Sequence, residues 1–316
     1  MILVTGAAGF IGYHTCKRLL AMGYDVYGID NLNDYYDRNY KLKRVERLDD
    51  SSSFKFKKVD ITDHFVLHEM FKEYRFTTVV NLAAQAGVRY SLENPDAYLD
   101  SNVIGFHTIC KLCNDYNAFL IYASSSSVYG KNYDVLDENV NVNNPASLYG
   151  ATKIFNELLA KSYYNTYELP SIGLRFSTVY GPWGRPDMAM WIWTDAIIKD
   201  KEVLLFNYGD MHRSFTYIDD IINGIMLSIS QPAISCDIFN LSGANVVNIK
   251  YVVDKISTIL DKKPKIKKLP AHICDPIDIR VNTNKAKEVL KYEISVSIDE
   301  GLERYVNWHK NFVKEI

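Results

Sequence analysis

Thr5-Gly6-Ala7-Ala8-Gly9-Phe10-Ile11-Gly12 lies between a short apolar run, residues 2–4, and a helical pattern that begins at Phe10. Gly6 permits a tight turn, Gly9 lets a bound group approach the backbone at the helix N-terminus, and Gly12 lets helix and strand pack closely. The G-x-x-G-x-x-G spacing is one residue longer than the G-x-G-x-x-G form. In a strand–turn–helix context it predicts a turn that binds a pyrophosphate.

The alternation of strand and helix continues outward from this turn. Further strands are predicted at 26–29, 54–59, 78–82, 119–123 and 172–176, and helices at 10–22, 63–74, 100–116 and 146–167. Repeated units of this length predict an α/β fold with a Rossmann-type, doubly wound parallel sheet covered by helices on both faces.

The pattern loosens after Gly181, where the predicted elements become shorter. Helices are expected at 190–199, 218–229, 249–260 and 298–313. We predict that residues 1–178 form a dinucleotide-binding domain to which 212–243 return. Residues 179–211 and 244–316 are predicted to form a smaller α/β C-terminal domain that binds the substrate at the carboxyl edge of the sheet.

Composition excludes several classes of protein. The 316 residues are 47% hydrophobic and 23% charged, with a net charge of −2, which is unlike a disordered chain or a general nucleic-acid binder. No apolar run is long enough to predict a membrane span, and no signal peptide is recognisable. The five cysteines are scattered, which fits a reducing cytoplasm better than a disulfide framework.

Asp30 ends the second strand, 18 residues after Gly12. A carboxylate there can accept hydrogen bonds from the adenosine ribose and repels a 2′-phosphate, which favours NAD over NADP. The alternative is a solvated acid at a strand end. Asp60 and Ile61 end the third strand, where an adenine could rest, and the small residues of 82–85 end the fourth.

Tyr149 and Lys153 are four residues apart and share one face of a predicted helix. A free tyrosine has a pKa near ~10, so a nearby ammonium is needed to favour the phenolate at neutral pH. Tyr149 could then take a proton from a sugar hydroxyl while the carbon gives a hydride to NAD. The alternative is a chance surface pair, but the serine run 124–127 at the end of the fifth strand favours catalysis.

These motifs together resemble the extended short-chain dehydrogenase/reductase superfamily, in its nucleotide-sugar branch. Longer blocks are similar to the UDP-glucuronate 4-epimerases and cover nearly the whole chain: 83–90, 123–130, 145–153, 179–188 and 215–220. The resemblance implies that tightly bound NAD oxidises C4 of a UDP-hexuronic acid. The 4-keto ring then turns and receives the hydride on its other face, so that UDP-glucuronate becomes UDP-galacturonate.

The resemblance also implies roles for particular residues. Tyr149 is the base, Lys153 its electrostatic partner, and Ser125 or Ser126 the assisting hydroxyl. The implied NAD site comprises Gly6, Gly9, Phe10, Ile11, Gly12, Asp30, Asn31, Asp60, Ile61, Leu82, Ala83, Ala84, Gln85, Asn102, Tyr149, Lys153 and Phe176. The implied UDP-sugar site comprises Ser127, Thr178, Arg185, Phe206, Arg213 and Asp275, with Thr178 and Arg185 facing the sugar and its carboxylate and Arg213 meeting the diphosphate. For the arginines the alternative is a surface ion pair.

Family members also commonly form homodimers through helices that match 100–116 and 146–167, and they serve polysaccharide biosynthesis. We therefore expect a cytoplasmic homodimer with a UDP-sugar as its partner.

Two positions depart from the family pattern. Ser177 stands where the family usually has an aromatic residue near the nicotinamide, and the basic contact before Asp275 is replaced, with Arg280 one candidate substitute.

Acidic residues of related dehydratases and decarboxylases are replaced by Ser126 and Ser127, which favours epimerisation without decarboxylation. UDP-N-acetylglucosaminuronate and UDP-glucose remain alternative substrates, with a UDP-glucuronate decarboxylase ranked after them. A non-catalytic NAD-binding regulator is a further alternative, against which the intact Tyr149 and Lys153 argue.

Overall fold

A sheet of seven parallel strands forms the centre of the protein, whose computed structural model describes residues 1–131, 135–243, 246–271 and 280–312. The strands are β1 (Ile2–Thr5), β2 (Val26–Asp30), β3 (Phe54–Lys58), β4 (Thr78–Asn81), β5 (Phe119–Ser125), β6 (Ser171–Phe176), β7 (Thr178–Tyr180), β8 (Glu202–Leu205), β9 (His212–Tyr217), β10 (Cys236–Leu241), β11 (Val246–Asn248) and β12 (Lys265–Lys268). The order in the central sheet is β3-β2-β1-β4-β5-β6-β10. Strand order reverses between β1 and β4, so their carboxyl ends diverge and leave a crevice.

Helices cover both faces of this sheet. They are α1 (Phe10–Ala21), α2 (Arg38–Glu46), α3 (His64–Tyr74), α4 (Pro95–Tyr98), α5 (Phe106–Asp115), α6 (Leu148–Tyr167), α7 (Ala189–Ile198), α8 (Ile218–Ile229), α9 (Ile249–Leu260) and α10 (Ile298–Phe312). Short 3₁₀ turns lie at Tyr90–Leu92, Ser126–Tyr129 and Phe206–Gly209, and π-helical turns at Leu99–Gly105 and Ala286–Leu290. The adjacent residues Val4 and Leu3 of β1 lie in separate apolar cores, with α1 and α8 on the Val4 side and α3 and α5 on the Leu3 side. The predicted α/β, doubly wound fold is confirmed.

Most predicted helices end within a residue or two of the observed bounds. The α6 helix begins at Leu148 because the Ser147 hydroxyl accepts a hydrogen bond from the Gly150 amide at 3.1 Å and caps the helix. The helix predicted over 100–116 is divided, since its first turns are π-helical and only Phe106–Asp115 is α-helical. At the junction, a Cβ on Gly105 would lie 2.5 Å from the Ile61 side chain, so close packing on the sheet accompanies the wider turn.

The C-terminal half adds two small sheets. One has the order β11-β9-β7 and the other pairs β12 with β8. Residues 212–243 contribute to both regions, because β9 lies in the small sheet whereas β10 pairs with β6 in the central sheet. The predicted domain boundaries stay a prediction. Within the described part of the chain, no helix combines the length and the apolar character needed to cross a bilayer.

The polar segment after β2, residues 31–53, is anchored by Arg44 of α2, whose side chain is fully buried. Its Nη1 donates to the Ala8 carbonyl at 2.9 Å and to the Tyr36 hydroxyl at 2.7 Å. Its Nη2 donates to the carbonyls of Trp183 at 2.7 Å and Gly184 at 3.2 Å. One guanidinium therefore joins the glycine turn to the chain that follows β7.

Candidate active site

A cavity of about 480 Å³ lies at the carboxyl edge of the central sheet, where β1 and β4 diverge. It brings together most of the predicted site residues. Those in its wall are Gly6, Gly9, Phe10, Ile11, Gly12, Asp30, Asn31, Ile61, Leu82, Ala83, Ala84, Gln85, Ser125, Ser126, Ser127, Tyr149, Lys153, Phe176, Thr178, Arg185 and Arg213.

Of the described residues predicted for the site, Asp60, Asn102 and Phe206 are not in this wall. Asp60 accepts a hydrogen bond at 2.8 Å from Asn31, which does line the cavity. Asn102 is buried and binds both backbone groups of Gln85, at 2.9 and 3.0 Å, so it fixes the loop after β4. The guanidinium carbon of Arg89 lies 4.0 Å from the centre of the Phe206 ring. Asp275 lies outside the described residues.

The glycine turn is shaped to accept a bound group against its backbone. Gly6 has a φ of +68°, and a Cβ there would lie 2.8 Å from the Ala83 amide nitrogen. A Cβ on Gly12 would lie 2.0 Å from the Gly6 carbonyl oxygen, so the first turn of α1 packs directly on the turn. The N-terminus of α1 therefore opens into the cavity with no side chain from these positions in the way. This cradle fits the pyrophosphate of a dinucleotide.

Asp30 has a partner that the sequence analysis missed. Its Oδ1 accepts from the Leu32 amide at 2.8 Å, and the buried Lys41 ammonium lies 3.7 Å away. Lys41 also donates to Asn33 Oδ1 at 2.7 Å. Burial lowers the pKa of Lys41 and the charge of Asp30 opposes that shift. The carboxylate at the end of β2 is therefore partly compensated rather than isolated.

Lys153 lies one helical turn after Tyr149, with its Nζ 5.9 Å from the centre of the tyrosine ring. The ammonium donates to the Ala123 carbonyl at 2.9 Å. Burial lowers the pKa of Lys153 to about 8, and the charge of Glu157 opposes the shift. Lys153 is thus held near the carboxyl end of β5 by its bond to Ala123.

The groups that act on Tyr149 differ from the expectation. Burial raises the pKa of Tyr149, while a hydrogen bond with Ser125 and the charge of Arg185 lower it. Ser125 rather than Ser126 is therefore the hydroxyl joined to the phenol. We expected the charge of Lys153 to favour the phenolate, but Lys153 points to the β5 backbone and Arg185 supplies the favourable charge.

A buried polar network lies behind the tyrosine and lysine. Glu157 accepts from Arg175 Nε at 2.8 Å, from Arg175 Nη2 at 2.7 Å and from the Ser124 hydroxyl at 2.5 Å. Arg175 Nη1 donates to the Tyr129 hydroxyl at 2.8 Å, which donates to Asn240 at 2.8 Å. This network was not predicted, although Glu157 is four residues after Lys153 and Arg175 is a charge within an apolar strand.

Arg185 is part of an ion pair inside the cavity wall. Its Nη2 lies 2.7 Å from Asp187 Oδ2, and the two side chains are 20% and 26% exposed. Because Arg185 lines the cavity, this is not the surface ion pair that the sequence left open. The Arg213 side chain also lines the cavity, and its Nη1 donates to the His212 carbonyl at 2.8 Å.

Ser177 occupies the place of the expected aromatic residue. Its hydroxyl is 2.6 Å from the Thr216 hydroxyl, whose oxygen accepts from the Gly243 amide at 2.7 Å. Ser177 lines the cavity beside Phe176 and Thr178. The lost ring is thus replaced by a hydrogen-bonded contact between β9 and the end of β6.

Comparisons with known proteins agree with this geometry. The model of the NAD dependent epimerase/dehydratase family matches residues 2–242. A UDP-glucuronate 4-epimerase from Thermodesulfobacterium geofontis is 40% identical over 99% of this chain and 97% of its own length. UDP-glucuronate 4-epimerase 2 of Arabidopsis thaliana is 39% identical over 99% of this chain and 76% of its own. The crystal structure of UDP-glucuronic acid 4-epimerase from Bacillus cereus, in complex with UDP-glucuronic acid and NAD, superposes with a TM-score of 0.94 at 31% identity, covering 98% of this chain and 99% of that one.

Proposed function

The chain belongs to the NAD-dependent epimerase/dehydratase family, and we propose that it inverts C4 of UDP-glucuronate to give UDP-galacturonate. One observation carries the choice of sugar: Arg185 lies in the same cavity wall as Tyr149 and acts electrostatically on it. A guanidinium near the reacting centre suits a sugar that carries a carboxylate. The similar proteins from three organisms are UDP-glucuronate 4-epimerases, which supports the same substrate.

NAD is held by most of the residues predicted for it from the sequence and by Lys41, which was not predicted. The glycine turn receives the pyrophosphate, Asp30 and Lys41 meet the adenosine ribose, and Asn102 holds the loop at the middle of the cofactor. When bound, NAD accepts a hydride from C4 of the sugar and returns it to the opposite face of that carbon.

Tyr149 is the residue that transfers the proton of the sugar 4-hydroxyl. Its phenolate takes the proton of the 4-hydroxyl as C4 becomes a ketone, and its phenol returns the proton when the hydroxyl re-forms. The Ser125 hydroxyl donates to the phenolate and stabilises it, and Arg185 adds a positive charge. Lys153 fixes the end of β5 through the Ala123 carbonyl.

The substrate is oriented by its charged ends. Arg185, Thr178 and Ser127 hold the carboxylate, because a guanidinium and hydroxyls are suitable donors to it. Arg213 meets the diphosphate. Phe206 and Asp275 complete the proposed UDP-sugar site, the latter outside the described residues.

Product analysis tests this function directly. Purified protein is incubated with UDP-glucuronate and the products are read by NMR, with Tyr149→Phe as the inactive control that keeps its NAD. We expect a mixture of UDP-glucuronate and UDP-galacturonate. UDP-xylose or a UDP-4-keto-pentose as the main product refutes epimerisation, and a higher kcat/KM on UDP-glucose or UDP-N-acetylglucosaminuronate refutes the choice of sugar.

We further propose a homodimer formed through α6 and the helical segment that contains Ile104. Ile104, Phe155 and Leu158 are 52%, 37% and 65% exposed, which is a large apolar area for a free surface. Leu158→Glu should convert a dimer to a monomer in light scattering. A wild-type monomer refutes the proposal.

We also propose that the enzyme works in the cytoplasm, in polysaccharide biosynthesis. The free thiols of Cys16, Cys110 and Cys113 are buried, which suits a reducing compartment. Fractionation of cells that express the protein tests the location, and recovery outside the cytoplasm refutes it.

A further inference from the structure

Tyr35 joins the polar segment after β2 to the sugar side of the cavity. Its hydroxyl donates to Asp187 Oδ2 at 3.0 Å, and the Arg185 guanidinium lies 6.0 Å from the centre of its ring. Asp187 also accepts from Arg185 Nε at 2.9 Å and from Nη2 at 2.7 Å. One carboxylate therefore fixes two nitrogens of the guanidinium, and one phenol fixes the carboxylate.

The ion pair between Asp187 and Arg185, with its two hydrogen bonds, is called the fork, and both of its members are charged. Burial alone would raise the pKa of Asp187, but the charge of Arg185 and hydrogen bonds from Arg185 and Tyr35 bring it below its ordinary value. Burial would lower the pKa of Arg185, and Asp187 raises it. Two parallel charge-assisted hydrogen bonds restrict rotation of the guanidinium plane more than a single contact does.

The loop after β4 makes room for Tyr35. Gly87 has a φ of +106°, and a Cβ there would lie 2.7 Å from the Tyr35 hydroxyl oxygen. The Tyr98 hydroxyl donates to the carbonyls of Gly87 and Ala86, the latter at 3.1 Å, and thereby fixes this loop. The ring of Tyr90 packs against Tyr35 at 4.7 Å between centres. The stretch 86–98 and the Asp187 carboxylate together therefore define the place of the Tyr35 phenol.

We propose that Asp187 and Tyr35 are positioning residues that orient the Arg185 guanidinium against the substrate carboxylate, and so keep the oxidised sugar from losing carbon dioxide. The inference rests on the proposed function, because it concerns the carboxylate of a 4-keto uronate. Asp187 engages Nε and one N–H of Nη2, so the two N–H groups of Nη1 and the second N–H of Nη2 remain for the substrate. A fork that fixes the guanidinium plane also fixes the direction in which Nη1 donates.

The chemistry explains why this direction matters. In a 4-keto uronate the bond from C5 to the carboxylate carbon breaks most readily when it stands perpendicular to the plane of the C4 carbonyl. Carbon dioxide then leaves, the electron pair of the broken bond forms the C4 enolate, and C5 takes up a proton. When the carboxylate is held near the plane of the C4 carbonyl, the bond from C5 to the carboxylate carbon cannot align in this way. The sugar then keeps its carboxylate until the hydride returns to C4.

The test compares Asp187→Asn and Tyr35→Phe with the wild-type enzyme. Asp187→Asn removes the charge of the fork, and Tyr35→Phe removes only the hydroxyl that holds it. Tyr90→Phe is the matched control, since its hydroxyl accepts from Asn94 at 3.1 Å, away from the fork. Products are read by NMR, KM and kcat are measured for UDP-glucuronate, and Kd is measured for UDP-glucose, which has no carboxylate.

We expect Asp187→Asn to lower kcat/KM for UDP-glucuronate by roughly ten- to a hundredfold and to raise the fraction of decarboxylated product, because the guanidinium is no longer fixed. Tyr35→Phe should show the same changes at a smaller size, while Tyr90→Phe matches wild type. Kd for UDP-glucose should stay within about twofold in all variants, since no carboxylate is involved.

Each failure has a distinct signature. Wild-type protein that does not epimerise UDP-glucuronate refutes the proposed function and this inference with it. Active wild type with unchanged product ratios in both Asp187→Asn and Tyr35→Phe refutes the inference alone. Equal weakening of UDP-glucuronate and UDP-glucose binding assigns the fork a merely structural role and also refutes it. If Asp187→Asn does not fold, the product ratio of Tyr35→Phe alone supports or refutes the inference.

Discussion

Glu157→Gln probes the buried network behind the catalytic residues. The Glu157 and Arg175 side chains are 5% and 3% exposed, and the carboxylate accepts three hydrogen bonds, two of them from the guanidinium. Glutamine keeps the shape and one acceptor oxygen. Its NH₂ group, however, faces donors, and the buried charge of Arg175 loses its counterion.

The expected loss of stability is large for one isosteric change. Removing one partner of a buried ion pair costs about 3–5 kcal/mol. Total stability is about 5–15 kcal/mol. At about 2–4 °C per kcal/mol for chains of 150–250 residues, Tm should fall by roughly 6–20 °C.

The same change should alter the pH dependence of activity. Burial lowers the pKa of Lys153 to about 8, and the charge of Glu157 opposes that shift. Without this charge, the pKa of Lys153 falls below about 8 and its ammonium loses the proton at lower pH. The alkaline limb of kcat/KM should therefore move to lower pH, because the charged ammonium makes the stronger hydrogen bond to the Ala123 carbonyl and so holds the end of β5.

Thermal melts and pH–rate profiles on UDP-glucuronate measure the two effects. Asp115→Asn is the matched control, since it breaks an exposed pair with Lys111 on α5, at 2.6 Å, that should contribute only about 0.3–0.5 kcal/mol. A lower Tm with an unmoved alkaline limb refutes the electrostatic link to Lys153. An unchanged Tm refutes the reasoning about the ion pair itself.

Three further predictions concern the turn, the phenol and the core. Gly12→Ala places a Cβ 2.0 Å from a backbone carbonyl oxygen, so the purified protein should lose its NAD, whereas Gly184→Ala, with its nearest atom at 3.1 Å, should retain it; equal NAD contents contradict this. Ser125→Ala removes a hydrogen bond that lowers the pKa of Tyr149, so the acid limb of kcat/KM should move to higher pH with a rate loss of roughly a hundredfold; an unmoved limb contradicts the role. Burial lowers the pKa of His309 from 6.5 to about 4. Between these values the unfolded chain binds a proton that the native protein does not, so the free energy of unfolding decreases as the pH is lowered from 6.5 to 4. His309→Phe should flatten this fall in melts at pH 4–6.5, and an unchanged slope contradicts the assignment.

The central sheet could be predicted because its information is local. Most of its strands are short apolar runs followed by a turn, and its long helices have a local apolar period, with a capping side chain at Ser147 in α6. The small sheets gave no such signal. Thr178–Tyr180 and Val246–Asn248 are only three residues long, and their pairing depends on β9 rather than on their own sequence.

The site divides in the same way. Backbone-lined positions such as Gly6 belong to motifs that can be recognised in a few residues. Tyr35 and Arg44 were missed because their partners, Asp187 and Trp183, are 152 and 139 residues away in sequence. Only the folded chain gives the hydroxyl of Tyr35 its acceptor, Asp187.

The Arg44 contacts have a consequence for engineering. Exchanging the Gly181–Met188 segment with that of a relative is an obvious way to alter sugar preference. The carbonyls of Trp183 and Gly184 are bound by Arg44, which also holds the glycine turn through Ala8. A graft that shifts these carbonyls would leave a buried cation without acceptors and disturb the cofactor turn. Chimeras of this enzyme should therefore exchange α2 and the Gly181–Met188 segment as one unit.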